Sequence, residues 1–596
     1  MKNKVKFRQL GSVTLFVLPA LIPLIVFWIY PILRSVYISF TDWDYMTPDY
    51  NFVFFDNFIS LFQDARFYDA LWNTVVFTLG TLIPTIVLGL MLALLMQKAF
   101  KGSGIIKFIL FSPWITPTVA VSIVWTWIYD PNTGIANTVM RFLHLPELQW
   151  IKSSDTAMLA VIIVTVWKSL GYAMIFYLSA LEKVPKELYE ASGLDGAKSW
   201  QRFRDVTIPC ISPTTFFLVI ITMVTSLQAY DQIQILTQGG PSGSTRTLLY
   251  MYYQLGFEEF NMGQATAVAI VMIIITVVLS AVQLGESKKG GNYHTRLCYL
   301  YLNCNSFVCF NEQCPCYIIK LRKKIKKLGK GMILLIFSIF TIFPFVWMIL
   351  SALKTKAEIM DVRSFFPAEF QWHNFYQVIF ESPLLRYVGN SLFVSVITLA
   401  LQIVTGAMIA YAIVFMNFKG KKALFAVIMG TYMLPTAATY IPSYIILANW
   451  NLLNTFTGLI ISNCVSIFGI FLLRQAFMQV PMGLIEAARI DGASSWKILW
   501  RVVCPMTKSS FITFGLMNFI TCYNSYMWPF LITDADEKMM VSQGLRKFFI
   551  EGGAYGTEWP LVMAGSTLIV LPLLILFAFT QKWFINGIGG DTGMKG

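Results

Sequence analysis

The fold is decided by one polar stretch that occurs twice. Residues 184–209 read VPKELYEASGLDGAKSWQRFRDVTIP, and residues 480–505 read VPMGLIEAARIDGASSWKILWRVVCP. At a constant offset of 296 residues, 12 of the 26 positions are identical. Each copy has the pattern of two short helices, because an early proline suits a first helical turn and Asp-Gly is typical of a turn. The repetition predicts two related halves, each with one such loop: the first polar loop, 183–209, and the second polar loop, 480–505.

The composition excludes an ordinary soluble protein. Of the 596 residues 56% are hydrophobic and 13% are charged, whereas soluble domains carry about 25% charged residues. The net charge of +14 does not indicate a nucleic-acid partner, because the basic residues cluster beside apolar runs without interleaved aromatic residues. The composition therefore predicts that most of the chain lies within a lipid bilayer. The first apolar run is longer than the core of a signal peptide, so we expect a retained span.

Twelve apolar runs are long enough to cross a bilayer core, which needs about 20 residues per helix. Prolines 19, 23, 84, 344 and 435 fall inside them, which neighbouring helices can tolerate. The predicted spans are 12–37, 72–97, 105–128, 157–181, 211–230, 264–284, 332–353, 390–415, 422–447, 456–478, 508–531 and 561–582.

The charges of the short loops predict the orientation. Residues 38–71 hold six aspartates and one arginine, which favours the outside, whereas Lys98, Lys101 and Lys107 favour the inside for the next loop. Lysines 419, 421 and 422 repeat this pattern in the second half. By alternation, both polar loops and both termini are predicted to be cytoplasmic.

The duplication extends beyond the polar loops. Further matches occur at offsets of 317 or 318, with equal span number and the same chain direction. We therefore predict an all-α integral membrane protein of about 12 transmembrane helices, arranged as two parallel six-helix repeats. The matched pairs are Asn57-Phe58 with Asn374-Phe375, Asn73 with Asn390, and residues 100–102 with residues 418–420.

A segment of different composition separates the halves. Residues 1–286 form the first half, 331–596 form the second, and 287–330 are rich in cysteine and lysine. Polar residues in the middle of 287–330 disfavour a thirteenth span. A single crossing there would also invert every later span. We therefore predict a poorly ordered cytoplasmic linker, which could have arisen by fusion or a frameshift between two separate genes.

The duplicated loops resemble the cytoplasmic loop of binding-protein-dependent ABC importer permeases. The shared pattern is Glu-Ala-Ala, three residues, Gly, nine residues and an apolar-x-apolar-Pro ending. Ser192 replaces the second alanine in the first copy, and Cys504 replaces the usual leucine in the second. The resemblance covers almost everything except about 287–330, and it identifies two fused permease halves.

This resemblance implies that each loop docks into a separate ATPase subunit. Small residues would allow close approach, glycine would allow the tight turn, and the glutamate would pair with a basic group or cap backbone N–H groups. The implied ATPase-coupling residues are Glu190, Ala191, Ser192, Gly196, Glu486, Ala487, Ala488 and Gly492.

Residues 229–241, AYDQIQILTQGGP, resemble the segment that closes the fifth span of carbohydrate-uptake permeases of the maltose or multiple-sugar type. The family implies sugar contacts from the fourth and fifth spans of this half. Sugars are bound by hydroxyl hydrogen bonds and aromatic stacking in mostly apolar pockets. Each residue alone has packing as its alternative role. The substrate-path residues are Trp167, Ser169, Tyr172, Thr222, Thr225, Ser226 and Gln228.

Nothing in the sequence predicts catalysis. There is no phosphate-binding G-x-x-x-x-G-K-[ST] motif, and no histidine or cysteine has metal-site spacing. We expect no cofactor in this chain, with ATP and magnesium bound by a partner ATPase dimer. The resemblance adds an extracytoplasmic solute-binding protein as partner and the bacterial cytoplasmic membrane as location.

The sequence leaves two alternative functions open. A permease for a polyamine, a metal or thiamine is the alternative within the family, although a polyamine path predicts acidic residues that these spans hardly have. An ion-coupled secondary transporter is the alternative from another class. It predicts interior acidic or histidine relays or interrupted helices, and needs no duplicated docking loop.

Overall fold

The computed structural model describes residues 2–47, 49–97, 100, 102–302, 316–361, 364–432, 434–552 and 558–589. Over these residues the regular structure is helical. The extended pairing found there is an isolated bridge between Thr41 and Phe52. The structure therefore confirms the all-α prediction.

Twelve helical segments correspond to the predicted spans. Eight are single helices apolar enough to cross a membrane, three are pairs bent at a short break, and the eleventh in chain order is a 17-residue helix. They are α1 Gly11–Ile38, α2 Ala65–Met96, α3 Ser103–Ile115 with Thr118–Ile128, α4 Ser154–Glu182, α5 Ser199–Leu227, α6 Met262–Val282, α7 Gly329–Ala352, α8 Leu384–Phe415, α9 Lys421–Tyr432 with Ala437–Asn449, α10 Phe456–Ser462 with Ile467–Phe477, α11 Lys508–Asn524 and α12 Trp559–Gln581.

Shorter helices connect the spans and lie mostly beyond their ends. They include Asp56–Gln63, Ile135–Phe142, Trp150–Lys152, Lys186–Leu194, Asp231–Leu236, Leu248–Tyr253, Gln254–Glu258, Lys356–Met360, His373–Tyr376, Gln377–Glu381, Met482–Ile490, Ser495–Ile498, Leu499–Val503, Cys504–Met506, Met527–Ile532, Asp536–Lys538 and Val541–Gly552.

The third span of each half is sharply bent. The two helices of α3 meet at 98° and those of α9 at 100°. Pro117 lies at the first corner and Pro435 at the second. Proline lacks an N–H and disfavours helical geometry in the residue before it, so a helix ends there. The predicted span 422–447 is therefore broken at Pro435, and α10 is also bent, by 46°.

The repeated asparagines make the same contacts in both halves. Asn57 Nδ2 donates to the carbonyls of Ser39 and Thr41 at 3.0 and 2.7 Å, just after α1. Asn374 Nδ2 donates to two carbonyls at the end of α7, at 2.9 and 3.0 Å. Because one amide satisfies two backbone acceptors, each asparagine stabilises the chain reversal after the first span of its half. The sequence repeat is thus a repeat of structure.

The first span of each half packs on the other half. Phe16 of α1 lies 5.3 Å from Tyr411 of α8, measured between ring centroids. Trp347 of α7 stacks on Trp127 of α3 at 4.4 Å. These four aromatic side chains are almost fully buried. The two halves are therefore joined by core packing rather than by a surface contact.

The segment between the halves is partly helical. The helix that contains α6 runs to Leu302, and the helix that contains α7 begins at Cys316. This differs from the expected poorly ordered linker over 287–302 and 316–330, while 303–315 lie outside the described residues. The predicted cytoplasmic location of 287–330 stays a prediction.

Candidate functional site

Each polar loop contains the same helix ending. The helices Lys186–Leu194 and Met482–Ile490 are followed by Gly196 and Gly492, whose φ angles are +74° and +76°. The backbone N–H after each glycine donates to a carbonyl five residues earlier, at 3.0 Å in both copies. This is the Schellman arrangement, which needs a left-handed residue and therefore favours glycine.

The predicted coupling residues of each loop differ in exposure. Glu190 and Glu486 are exposed in both copies. Of the small residues, Ser192 is buried and Ala191 and Ala488 are half-buried, while Ala487 is exposed. The Ser192 hydroxyl donates to the carbonyl of Tyr189 at 3.0 Å, so the serine that replaces alanine is satisfied within its own helix.

Both loops also expose large apolar side chains at equivalent positions. Leu194 is 82% exposed and Ile490, its equivalent at the offset of 296, is 86% exposed. Trp200 and its equivalent Trp496 are exposed as well. Two matched apolar patches beside exposed carboxylates fit docking surfaces for another protein.

A chamber lies between the halves, at the ends of α5 and α11 that are remote from the polar loops. It consists of two adjoining cavities, cavity A of about 500 Å³ and cavity B of about 460 Å³. Residues of both halves line each cavity, and seven residues line both: Trp114, Ser169, Thr222, Thr225, Gln228, Thr521 and Ser525.

Most of the predicted substrate-path residues line this chamber. Tyr172 lines cavity A, Ser226 lines cavity B, and four others line both: Ser169, Thr222, Thr225 and Gln228. Tyr172 stacks on Trp114, with ring centroids 5.1 Å apart and planes at 23°. The cavities thus combine an aromatic surface with several hydroxyl groups, as small-molecule sites commonly do.

Trp167 has a different position from the other predicted residues. It is buried, lines neither cavity and packs against Trp125 and Phe345, at 5.7 Å from each ring. Phe345 belongs to α7, so this tryptophan joins the first half to the second. The structure thus gives Trp167 a packing role, and its contact with a substrate stays a prediction.

Amide side chains at the ends of α5 and α11 form hydrogen bonds with the bent third span of the opposite half. The Thr436 hydroxyl, at the corner of α9, donates to Gln228 Oε1 at 3.0 Å. Asn524, the equivalent of Gln228 at the offset of 296, donates from Nδ2 to the carbonyl of Ile115 at 2.7 Å, at the corner of α3. The chamber is therefore closed by a symmetry-related pair of contacts between the halves.

Cavity B also contains two charged residues. Lys168 Nζ donates to the Thr116 carbonyl at 2.7 Å and to the Thr118 hydroxyl at 2.6 Å, so it fixes the corner of α3. Asp231, which follows α5, lines the same cavity. The Lys168 ammonium, which is costly to bury without partners, is thus hydrogen-bonded to a backbone carbonyl and a hydroxyl.

Sequence reasoning missed the contribution of the second half to the chamber. Gln402, Asn463 and Asn518 line cavity A. The offsets of the repeat could have indicated two of them, because Thr222 corresponds to Asn518 and Thr85 of α2 corresponds to Gln402. The family resemblance implied sugar contacts from the first half alone, so the corresponding positions of the second half were not predicted.

The comparison with protein families identifies the chain. Residues 85–284 and 402–589 each match the family described as "Binding-protein-dependent transport system inner membrane component". The chain belongs to this family. It contains two copies of the family's unit, one in each half, so this permease is a fused duplicate that crosses the membrane several times.

Similar proteins correspond to one half of this permease. The probable ABC transporter permease protein YurN of Bacillus subtilis is 34% identical over 280 residues, which are 46% of this chain and 96% of YurN. The trehalose/maltose transport system permease protein MalF of Thermococcus litoralis is 27% identical over 292 residues, 48% of this chain and 98% of MalF. A crystal structure of a bacterial alginate ABC transporter with a periplasmic protein aligns with 24% identity and a TM-score of 0.43, covering 48% of this chain and 97% of that one.

Proposed function

We propose that this permease takes up a sugar or oligosaccharide, which an extracytoplasmic binding protein delivers and which a separate cytoplasmic ATPase dimer drives across the membrane. The observation that carries the proposal is the chamber between the halves, where Trp114 and Tyr172 stack beside hydroxyl and amide side chains. The trehalose/maltose permease among its relatives supports a sugar as the transported class.

The two polar loops supply the connection to ATP hydrolysis. They are matched in conformation and in exposed apolar residues, as two identical or similar ATPase subunits require. Bringing the ATPase subunits together would move both loops, and the halves would rock about the chamber. Cross-half contacts at Gln228 and Asn524 would then break and re-form as the chamber opens to either side.

The remaining assignments belong to the same proposal. ATP and magnesium bind the partner ATPase, both termini and both polar loops face the cytoplasm, and the surroundings are the lipids of the bacterial cytoplasmic membrane. Interrupted helices, expected of a secondary transporter, occur here in α3, α9 and α10. Broken spans therefore do not distinguish the two mechanisms, whereas a requirement for ATP does.

Reconstitution in proteoliposomes tests this function. The complete transporter, with its ATPase and binding protein, is expected to accumulate at least one of maltose, trehalose and maltotriose. Uptake should require ATP on the side of the polar loops and the binding protein on the opposite side. Uptake that persists without ATP but collapses with an ion gradient would contradict the proposal.

A further inference from the structure

Two buried amides of the second half have polar atoms without partners in cavity A. Gln402 of α8 and Asn518 of α11 are 6% and 8% exposed, and both line the cavity. Among the described residues, Gln402 Oε1 and Asn518 Nδ2 have no hydrogen-bond partner. Buried polar atoms are almost always hydrogen-bonded. These two atoms belong to residues that line a cavity, so they are available to a ligand that binds there.

Neighbouring groups fix which atom of each amide is left unsatisfied. Gln402 Nε2 donates to the carbonyl of Asn463 at 2.7 Å, so its Oε1 remains as an acceptor. Asn518 Oδ1 accepts from the Ser466 hydroxyl at 3.4 Å, so its Nδ2 remains as a donor. The second half therefore offers one acceptor and one donor to the same cavity. Asn463 and Ser466 are positioning residues in this arrangement.

A neutral polyhydroxylated ligand matches this pair. A hydroxyl group both donates and accepts, so adjacent hydroxyls of one sugar ring can satisfy an acceptor and a donor together. The lining of cavity A includes no Asp, Glu, Lys or Arg among the described residues, which disfavours a phosphorylated or carboxylated sugar there. Its volume of about 500 Å³ lies within the range of about 300–1,000 Å³ of small-molecule sites.

The repeat makes the contribution of the second half specific. Gln402 and Asn518 correspond to Thr85 and Thr222 of the first half, which line the same cavity with shorter side chains. Across the chamber, the first half supplies the stacked rings of Trp114 and Tyr172. The first half thus contributes aromatic faces, and the second half contributes longer hydrogen-bonding side chains. The two related halves therefore have different roles in the chamber.

We propose that Gln402 and Asn518 form a hydroxyl-binding subsite for one ring of an uncharged sugar, so that the transported molecule contacts both halves. This inference rests on the proposed function and adds a second set of specificity-determining residues to it. The subsite acts while the sugar passes through the permease, after the binding protein has released it.

The test uses the reconstituted transporter and two shape-matched substitutions, Gln402→Met and Asn518→Leu, which remove the amides and leave the volume nearly unchanged. Ser395→Ala is the control, because Ser395 is also buried on α8 with an unpartnered hydroxyl but lines neither cavity. The probes are maltose, trehalose and maltotriose. ATP hydrolysis stimulated by the sugar-loaded binding protein is measured in parallel.

We expect uptake at saturating binding protein to fall about threefold to tenfold in each variant, as expected for the loss of one hydrogen bond. Stimulated ATP hydrolysis should fall much less than uptake, and the control variant should keep its uptake. A second readout is Cys522, which lines cavity A with its Sγ 4.0 Å from Gln402 Nε2. The transported sugar should slow alkylation of Cys522 by N-ethylmaleimide in the unchanged chain, and less so in the variants.

Two outcomes would count against the subsite and are distinguishable. Unchanged uptake and unchanged protection of Cys522 in both variants would overturn the subsite. The two amide atoms would then be hydrogen-bonded by water and not by the sugar. Failure of the unchanged chain to take up any of the three sugars would instead contradict the proposed function, and the subsite with it.

Discussion

Sugar uptake is expected to be abolished when Gly196 and Gly492 are both replaced by valine. Both glycines have φ near +75°, and a left-handed conformation costs an L-residue about 1–2 kcal/mol, more for a β-branched one. Nothing lies within 4 Å of an added Cβ at either position, so the effect acts through the turn rather than through a steric clash. Each single substitution should reduce uptake at least about tenfold, since a tenfold change requires only about 1.4 kcal/mol.

Matched controls for this result are Gly193→Val and Gly483→Val. These glycines lie in the helices of the same two loops, have no positive φ, and also have open space around an added Cβ. Uptake should be largely retained in both. Amounts of protein in the membrane and affinity for the loaded binding protein should not change in any variant. Normal uptake in the double variant would refute the coupling role of the polar loops.

The second large effect is expected for Tyr172→Ala. Removing this ring takes away the stacking partner of Trp114 in cavity A. Stacking of a nucleic-acid base on an aromatic side chain contributes about 1–3 kcal/mol, and we expect the same range for the face of a sugar ring. Uptake of maltose, trehalose or maltotriose should therefore fall about fivefold to 150-fold. ATP hydrolysis stimulated by the binding protein should fall much less, because the polar loops are untouched. Ser226→Ala in cavity B should have a smaller effect in the same direction.

Trp167→Phe is the control for Tyr172→Ala, because it changes a buried residue outside the two cavities. This side chain packs between the halves and lines neither cavity. Its substitution should lower the thermal stability of the purified permease while leaving sugar selectivity unchanged. Equal losses of uptake in Tyr172→Ala and Trp167→Phe, without a change in stability, would contradict the assignment of Tyr172 to the sugar path.

Some parts of this structure could be predicted from the sequence because they depend on local chemistry. The Asp-Gly pair predicts the turn of each polar loop, where the structure has a left-handed glycine at 196 and at 492. Asn57 and Asn374 match in the sequence repeat, which predicts that they occupy equivalent positions in the two halves. Each donates hydrogen bonds to two backbone carbonyls after the first span of its half. Apolar length predicts the spans themselves, since a bilayer sets how many residues a helix needs.

Other parts depend on which helices are neighbours, and hydropathy does not specify this. Any apolar face can contact lipid or another helix at similar cost, so the packing of Phe16 on Tyr411 across the halves could not be predicted. The bend at Pro435 was missed for a related reason. A proline inside an apolar run is compatible both with a continuous helix and with a corner stabilised by a distant residue such as Gln228.

The central claim is that one chain supplies both halves of the permease. The mass of the assembled transporter, measured by native mass spectrometry after mild extraction from the membrane, tests it most directly. We expect one 67.7 kDa chain with two ATPase subunits, because each chain carries two polar loops and each loop is proposed to dock one ATPase subunit. A complex that contains two copies of this chain with two ATPase subunits would contradict it.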